Sequence, residues 1–150
     1  MITELIKIYE RDLDRLKVEI ELFKDEKQLW RTTGSVKNSA GNLCLHLIGN
    51  LKTYIGKNLG NIAYARNRDA EFNSKNIPSQ SLIQQVEDTK EIVRSTLEKM
   101  NAEDLKSNYP ENVLGYEMTT GFFLLHLAAH LSYHLGQINY IRRVLESLPK

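Results

Sequence analysis

Apolar residues recur every three or four positions along most of this chain, and that spacing limits the fold more than any other feature of the sequence. The three prolines and eight glycines fall mostly between the segments that carry it. Because this period matches one face of an α-helix and not the alternation of a strand, the sequence predicts an all-α fold. Four long helices are expected, at about residues 2–24, 40–59, 79–101 and 120–147.

The connections between the predicted helices are long. Residues 60–78 contain Gly60, four asparagines and Pro78 and have little regular periodicity, so we predict a crossing loop there. Residues 102–118, with Pro110 and Gly115, are predicted to be a second irregular connection. Loops of this length usually do more than connect two elements.

Charge and size exclude several classes of protein. Lys and Arg total 20 against 19 for Asp and Glu, so electrostatics give no reason to expect a nucleic acid or an anionic membrane as partner. At 150 residues and 41% hydrophobic content the chain fits one domain. Cys44, the single cysteine, cannot form an intramolecular disulfide, and the first residues mix charged with apolar side chains. We therefore expect a soluble, cytoplasmic protein.

The histidines are the chemically informative residues. His46 falls on the second predicted helix, whereas His126, His130 and His134 are spaced four apart on the last one. Each step of four advances about 40° around a helix and about 6 Å along it, so these rings form a stripe on one face. A single histidine on an apolar helix is most often a core residue, but this cluster together with His46 favours a metal site.

The ligand type and its surroundings narrow the chemistry of such a site. Three neutral imidazoles leave a dication uncompensated and one position open, as in catalytic sites, and zinc, nickel, iron and copper all accept imidazole. Leu127 stands where an HExxH protease helix would need glutamate. None of the four histidines has a glutamate three residues before it, as a carboxylate-bridged di-iron bundle requires. Cys44 points away from His46 around the helix and is expected in the core.

The second and last predicted helices together resemble the DinB-like (DinB/YfiT-like) superfamily of metalloenzymes. The resemblance covers essentially the whole chain, and its most specific element is an HxxxHxGQ pattern at residues 130–137, with Leu135 where many relatives have arginine. It implies that His46, His130 and His134 hold the metal, while His126 recurs in some relatives and is an alternative ligand. The segments SAGNLCLHLIGNL and YARNRDAEF resemble a DinB-related branch of unassigned function.

The same resemblance implies a fold and an activity. The expected fold is a four-helix bundle in an up-down-down-up arrangement with long crossover connections, assembled as a homodimer with a divalent metal ion in a cleft. Characterised members of the superfamily include transferases and an isomerase that use small thiols such as bacillithiol, mycothiol or glutathione. An open metal position that binds a thiol as thiolate would fit that chemistry.

Several polar residues are candidates for supporting roles. Asn42 and Asn50 lie four residues before and after His46, and Gln137 follows His134 by three, so each could orient a ligand ring or a substrate. The alternative for each is capping or a hydrogen bond between helices. Arg66 and Arg68 could bind a carboxylate of a thiol cofactor or, alternatively, form salt bridges with Asp69 or Glu71.

Three functions remain open from the sequence. The first is a metal-dependent thiol S-transferase acting on a small molecule, with the metal-bound thiol as nucleophile. The second is a non-enzymatic dimeric module that binds a metal or a small molecule, and it stays open because the sequence identifies no catalytic base. The third is a metal-dependent hydrolase that would use the same ligands with an activated water.

Overall fold

The computed structural model describes residues 1–149 and is all-helical, as predicted. Within this range no β-strand forms, and Asn108 and Thr119 make an isolated bridge. The same residues contain six α-helices: α1 Ile2–Glu21, α2 Ala40–Leu51, α3 Arg68–Asn73, α4 Ser79–Glu98, α5 Ala102–Lys106 and α6 Thr120–Ser147. No helix among the described residues is long and apolar enough to cross a membrane.

Side-chain caps set the beginnings of α2 and α6. The hydroxyl of Ser39 accepts a hydrogen bond from the backbone N–H of Asn42, and that of Thr119 accepts one from Phe122. These bonds satisfy N–H groups that have no partner inside the helix. Both histidine-bearing helices therefore begin at defined positions.

Two of the long helices differ from the predicted bounds. α1 ends at Glu21, and the chain then forms a 3₁₀-helix at Glu26–Trp30 that Asp25 caps. α2 continues beyond Leu51 as a π-helical segment, Lys52–Lys57. Gly56 lies in that segment so close to α4 that an added Cβ would come within 2.7 Å of Ile92. Apolar spacing does not report such a change of helix type.

The two connections predicted to be irregular each contain a short helix. α3 lies inside residues 60–78 and α5 inside residues 102–118. Asn67 caps the first and Asn101 caps the second, and both helices carry acidic residues in their first turn. Caps and first-turn acids stabilise a helix N-terminus even where a segment is too short to show periodicity.

The long helices bury their apolar faces against one another. α1 packs against α4 and α6, and α2 packs against the same two helices. The hydroxyl of the fully buried Tyr9 donates to the backbone carbonyl of Leu124 at 2.6 Å. Cys44 is fully buried and free, as expected of a core residue. Other buried core residues include Leu5, Leu13, Leu16, Ile20, Leu47, Leu51, Leu82, Leu97, Leu131 and Ile138.

Helix α3 packs on α2 and closes one end of the site described below. Asn42, which is buried, donates from its amide to the backbone carbonyls of Glu71 at 2.9 Å and Ser74 at 2.8 Å. Asn42 thus fastens the C-terminal end of α3 to the start of α2.

Candidate metal centre

Three histidine rings from two helices converge on one point. The Nε2 atom of His130 lies 3.2 Å from Nε2 of His46 and 3.1 Å from Nε2 of His134. All three ligand atoms lie within 4.8 Å of one another. His46 comes from α2, whereas the other two lie one turn apart on α6. The structure therefore brings together the ligand set that the resemblance implied.

These distances fit a shared cation. Two nitrogen ligands at about 2.0–2.1 Å from a tetrahedral zinc ion are about 3.3 Å apart. The two contacts of His130 Nε2 lie close to that value. Without a cation, one of these nitrogens must carry a proton and donate it to its neighbours. The spacing of the three atoms fits a divalent metal ion.

The outward nitrogens of two rings are held by hydrogen bonds. Nδ1 of His134 lies 2.6 Å from Oε1 of Gln137, and Nδ1 of His46 lies 3.1 Å from Oε1 of Glu71. Because an amide or carboxylate oxygen only accepts, each Nδ1 donates and each Nε2 keeps its lone pair for the common point. In the described part of the chain, the buried Nδ1 of His130 has no hydrogen-bond partner.

Glu71 is a further residue of this site, which the sequence indicates only as a possible salt-bridge partner for the loop arginines. It is buried, and Arg66 donates to its two oxygens, from Nε to Oε2 at 2.8 Å and from Nη2 to Oε1 at 3.0 Å. Arg66 therefore neutralises Glu71 and is not free to bind a substrate carboxylate by itself. The first-turn position of Glu71 after Asn67 was the available signal.

Burial favours the neutral form of two of the rings, those of His46 and His130. It lowers the pKa of His46, and the hydrogen bond to Glu71 opposes that effect without cancelling it. Burial and the neighbouring His134 lower the pKa of His130 to about 4. Neutral imidazole is the form that binds metal, so at neutral pH these two rings need not lose a proton before ligation.

His126, the alternative ligand, lies apart from this cluster. Its ring stacks on Phe123 at a centroid distance of 5.7 Å and lies 6.4 Å from the ring of His130. It lines a cavity of about 180 Å³ that His46 and His130 also line. His126 therefore lines the cavity and lies outside the three-histidine cluster.

The same cavity has a polar rim. Asn50, Tyr54, Arg66 and Arg68 line it together with Val113, Phe123 and Leu127. Among residues 1–149, Asn50 Oδ1 is buried without a hydrogen-bond partner, and Arg68 is exposed and makes no salt bridge. The guanidinium of Arg68 thus lies at the edge of the cavity without a carboxylate partner in that range, 6.0 Å from the centroid of the Phe72 ring.

A second, larger groove of about 470 Å³ adjoins the other side of the cluster. His134 and Gln137 form its inner wall, and Tyr133, Tyr140 and Lys37 line its outer part. A molecule of moderate size could therefore approach the histidines from this side as well as through the cavity.

Residues 3–148 match the model of a family described as "Protein of unknown function (DUF1572)". The chain belongs to this family. The match to the DUF1572 family includes every histidine of the cluster and both loop residues, Arg66 and Glu71. Among proteins of curated function, none matches the sequence significantly.

Proposed function

We propose that this member of the DUF1572 family is a DinB-like, divalent-metal-dependent enzyme of the thiol S-transferase type. The observation that carries the proposal is the convergence of His46, His130 and His134 Nε2 atoms beside a cavity. The HxxxHxGQ pattern at residues 130–137 supports the DinB-like assignment. The packing of α1 and α2 against α4 and α6 fits the proposed four-helix bundle with an up-down-down-up arrangement.

The proposed metal is zinc, nickel, iron or a similar divalent ion, held by the three imidazoles. When bound, it supplies an open Lewis-acid position that lowers the pKa of a thiol ligand and so raises its thiolate fraction at neutral pH. Glu71 and Gln137 orient two of the rings. The apolar side chains of Phe123, Leu127 and Val113 limit the access of water to the cavity.

The cavity favours a small anionic substrate or thiol. Glu71 is neutralised by Arg66, so Arg68 adds the remaining positive charge at the rim. A guanidinium binds a carboxylate through two parallel hydrogen bonds. We therefore propose that Arg68 binds a carboxylate of the small molecule, while the amide of Asn50 and the imidazole of His126 contact its polar groups.

A homodimer is the proposed assembly. Large apolar side chains remain exposed along the outer face of α6, at successive intervals of three, eight, seven and four residues that keep them on one side of the helix. Burial of this face in a second copy would remove it from water. The exposed residues are Phe122, Leu125, Tyr133, Tyr140 and Val144.

A non-enzymatic binding module is the second candidate. It is favoured by one observation: Glu71, the carboxylate nearest the histidines, is already engaged by Arg66 and His46 and so is not free to act as a general base. The third candidate is a hydrolase, which would use water and not a thiol as its nucleophile. The substrates that the protein turns over distinguish it from the transferase.

The first test measures metal content in tag-free protein. We expect about one equivalent in the wild type, a loss in His46→Ala and His134→Ala, and retention in His126→Ala, which removes a neighbouring imidazole outside the cluster. Equal metal content in all four proteins would disprove the site.

The second test separates the three functions. The metal-loaded protein is incubated with a panel of small thiols and a model electrophile, and with ester and amide substrates in the absence of thiol. A thiol-dependent rate that His46→Ala and His134→Ala abolish supports the transferase. A rate no greater than that of these variants in both assays indicates the binding module, and turnover without thiol indicates the hydrolase.

A further inference from the structure

We infer that Glu71 is a positioning residue for the metal centre: delivered by α3, its carboxylate fixes His46 as the Nδ1–H tautomer and aims His46 Nε2 at the metal. The inference rests on the metal site proposed above and deepens it. Its consequence is that the connection between α2 and α4, and not the long helices alone, builds the centre.

The direction of the proton on His46 follows from its two neighbours. Nδ1 lies 3.1 Å from Glu71 Oε1 and 3.4 Å from Arg66 Nη2. Arg66 can only donate, and its Nη2 already donates to Oε1 at 3.0 Å. The shorter contact, to a charged acceptor, therefore determines the tautomer: Nδ1 donates to Glu71, and the lone pair remains on Nε2.

The backbone of α2 is shaped to admit this carboxylate. Gly49 lies one turn after His46, and a Cβ built there would be 2.0 Å from Oε2 of Glu71 and 2.7 Å from its Cδ. Any other residue at position 49 would occupy the space that the carboxylate fills. Glycine at position 49 thus leaves room for the carboxylate of Glu71 to reach His46.

The rest of the connection holds Glu71 from both sides. Asn67 caps α3 through the backbone N–H of Ala70, and Asn42 binds the backbone carbonyls of Glu71 and Ser74. Arg66 compensates the buried charge, which would otherwise favour protonation or exclusion of the carboxylate. An ordinary loop salt bridge would need none of the contacts to α2.

The first experiment reads the tautomer of His46 without any metal. Ring ¹⁵N chemical shifts of metal-free protein are measured at pH 8 in the wild type, Glu71→Gln and Glu71→Ala. We expect a protonated Nδ1 in the wild type and a shift toward the Nε2–H form in Glu71→Ala. A wild type in the Nε2–H form, or an unchanged tautomer in Glu71→Ala, would overturn the inference. The wild-type spectrum is decisive even if a variant folds poorly.

The second experiment measures the dissociation constant of Zn²⁺ by competition with a chromophoric chelator. Loss of a carboxylate that orients a histidine ligand typically weakens metal binding 10–100-fold, and we expect a loss of about that size for Glu71→Ala. Glu71→Gln, which keeps an acceptor oxygen, is expected to lose less. An affinity within about twofold of the wild type in Glu71→Ala would count against the positioning role.

Glu19 supplies the matched control. Its carboxylate also accepts two side-chain donors from another element, Asn139 Nδ2 at 2.6 Å and Arg142 Nε at 2.8 Å, but it contacts no histidine. Glu19→Ala should cost stability without changing Zn²⁺ affinity. If the wild type shows the expected tautomer but binds no Zn²⁺, the proposed function fails and the role of Glu71 toward His46 stands. If Zn²⁺ binds equally well without Glu71, the positioning role of Glu71 fails and the proposed metal site stands.

Discussion

Replacing Gly49 with alanine perturbs the candidate metal centre without removing any polar group. The new Cβ would lie 2.0 Å from Glu71 Oε2, whereas ordinary contact begins at 3.4 Å, so the carboxylate must retreat by about 1.4 Å. His46 lies one turn away on the same face of α2, so this retreat also moves Oε1 away from His46. We expect the 3.1 Å contact to lengthen by up to that amount, which takes it beyond hydrogen-bond range.

Two opposing effects on stability follow from this change. Alanine is favoured over glycine inside a helix by about 1 kcal/mol, whereas loss of one hydrogen bond to a charged group costs about 1.5–3 kcal/mol. We expect the free energy of unfolding of the metal-free protein to fall by about 0.5–2 kcal/mol in urea titrations, and Zn²⁺ to bind about 10–100-fold more weakly.

Gly136→Ala is the control for this substitution. Gly136 also lies inside a helix, but an added Cβ there has no atom within 4 Å outside its own helix backbone, so this variant should gain stability and keep its Zn²⁺ affinity. Gly49→Ala protein that is as stable as Gly136→Ala and binds Zn²⁺ like the wild type would refute the packing of Glu71 against His46.

Three further predictions concern residues elsewhere in the fold. Tyr9→Phe removes a buried hydroxyl donor to α6 and should lower the free energy of unfolding by about 1 kcal/mol, as measured in urea; no change would contradict that contact. Burial raises the pKa of Cys44 to about 12, so the thiol should resist a disulfide reagent at pH 8 until the protein unfolds, and fast reaction of the native protein would place it at the surface. Arg68→Gln should raise KM for carboxylate-bearing substrates several-fold with unchanged metal content, and equal KM values would remove Arg68 from substrate binding.

The apolar period was sufficient to predict the fold class and the approximate positions of the long helices. Each of these helices buries a continuous face, and that requirement repeats along the sequence. The period could not detect the π-helical turn at Lys52–Lys57, which depends on how closely Gly56 approaches α4. It also could not detect α3 and α5, which depend on caps rather than on a buried stripe.

For the candidate site too, the sequence predicts one part, and the other part depends on tertiary packing. Histidines four apart on one helix must share a face, so the sequence pointed to His130 and its neighbours. Which neighbour joins His46 depends on the packing of α2 against α6, and His126 instead stacks on Phe123. Glu71 could not be assigned to His46 because it lies 25 positions further along the chain, in a connection with little periodicity, and the path of that connection is a tertiary property.

The salt bridge between Arg66 and Glu71 lies within a single stretch of six residues, and this affects how the metal centre can open. If that stretch moved away from α2, the two opposite charges would travel together into solvent, and no uncompensated ion would be left in the interior. Detachment of this stretch would break the Glu71–His46 hydrogen bond and the two hydrogen bonds from Asn42, but it would not separate the two opposite charges. We therefore expect that local detachment of the connection would open the candidate site while the four long helices stay folded.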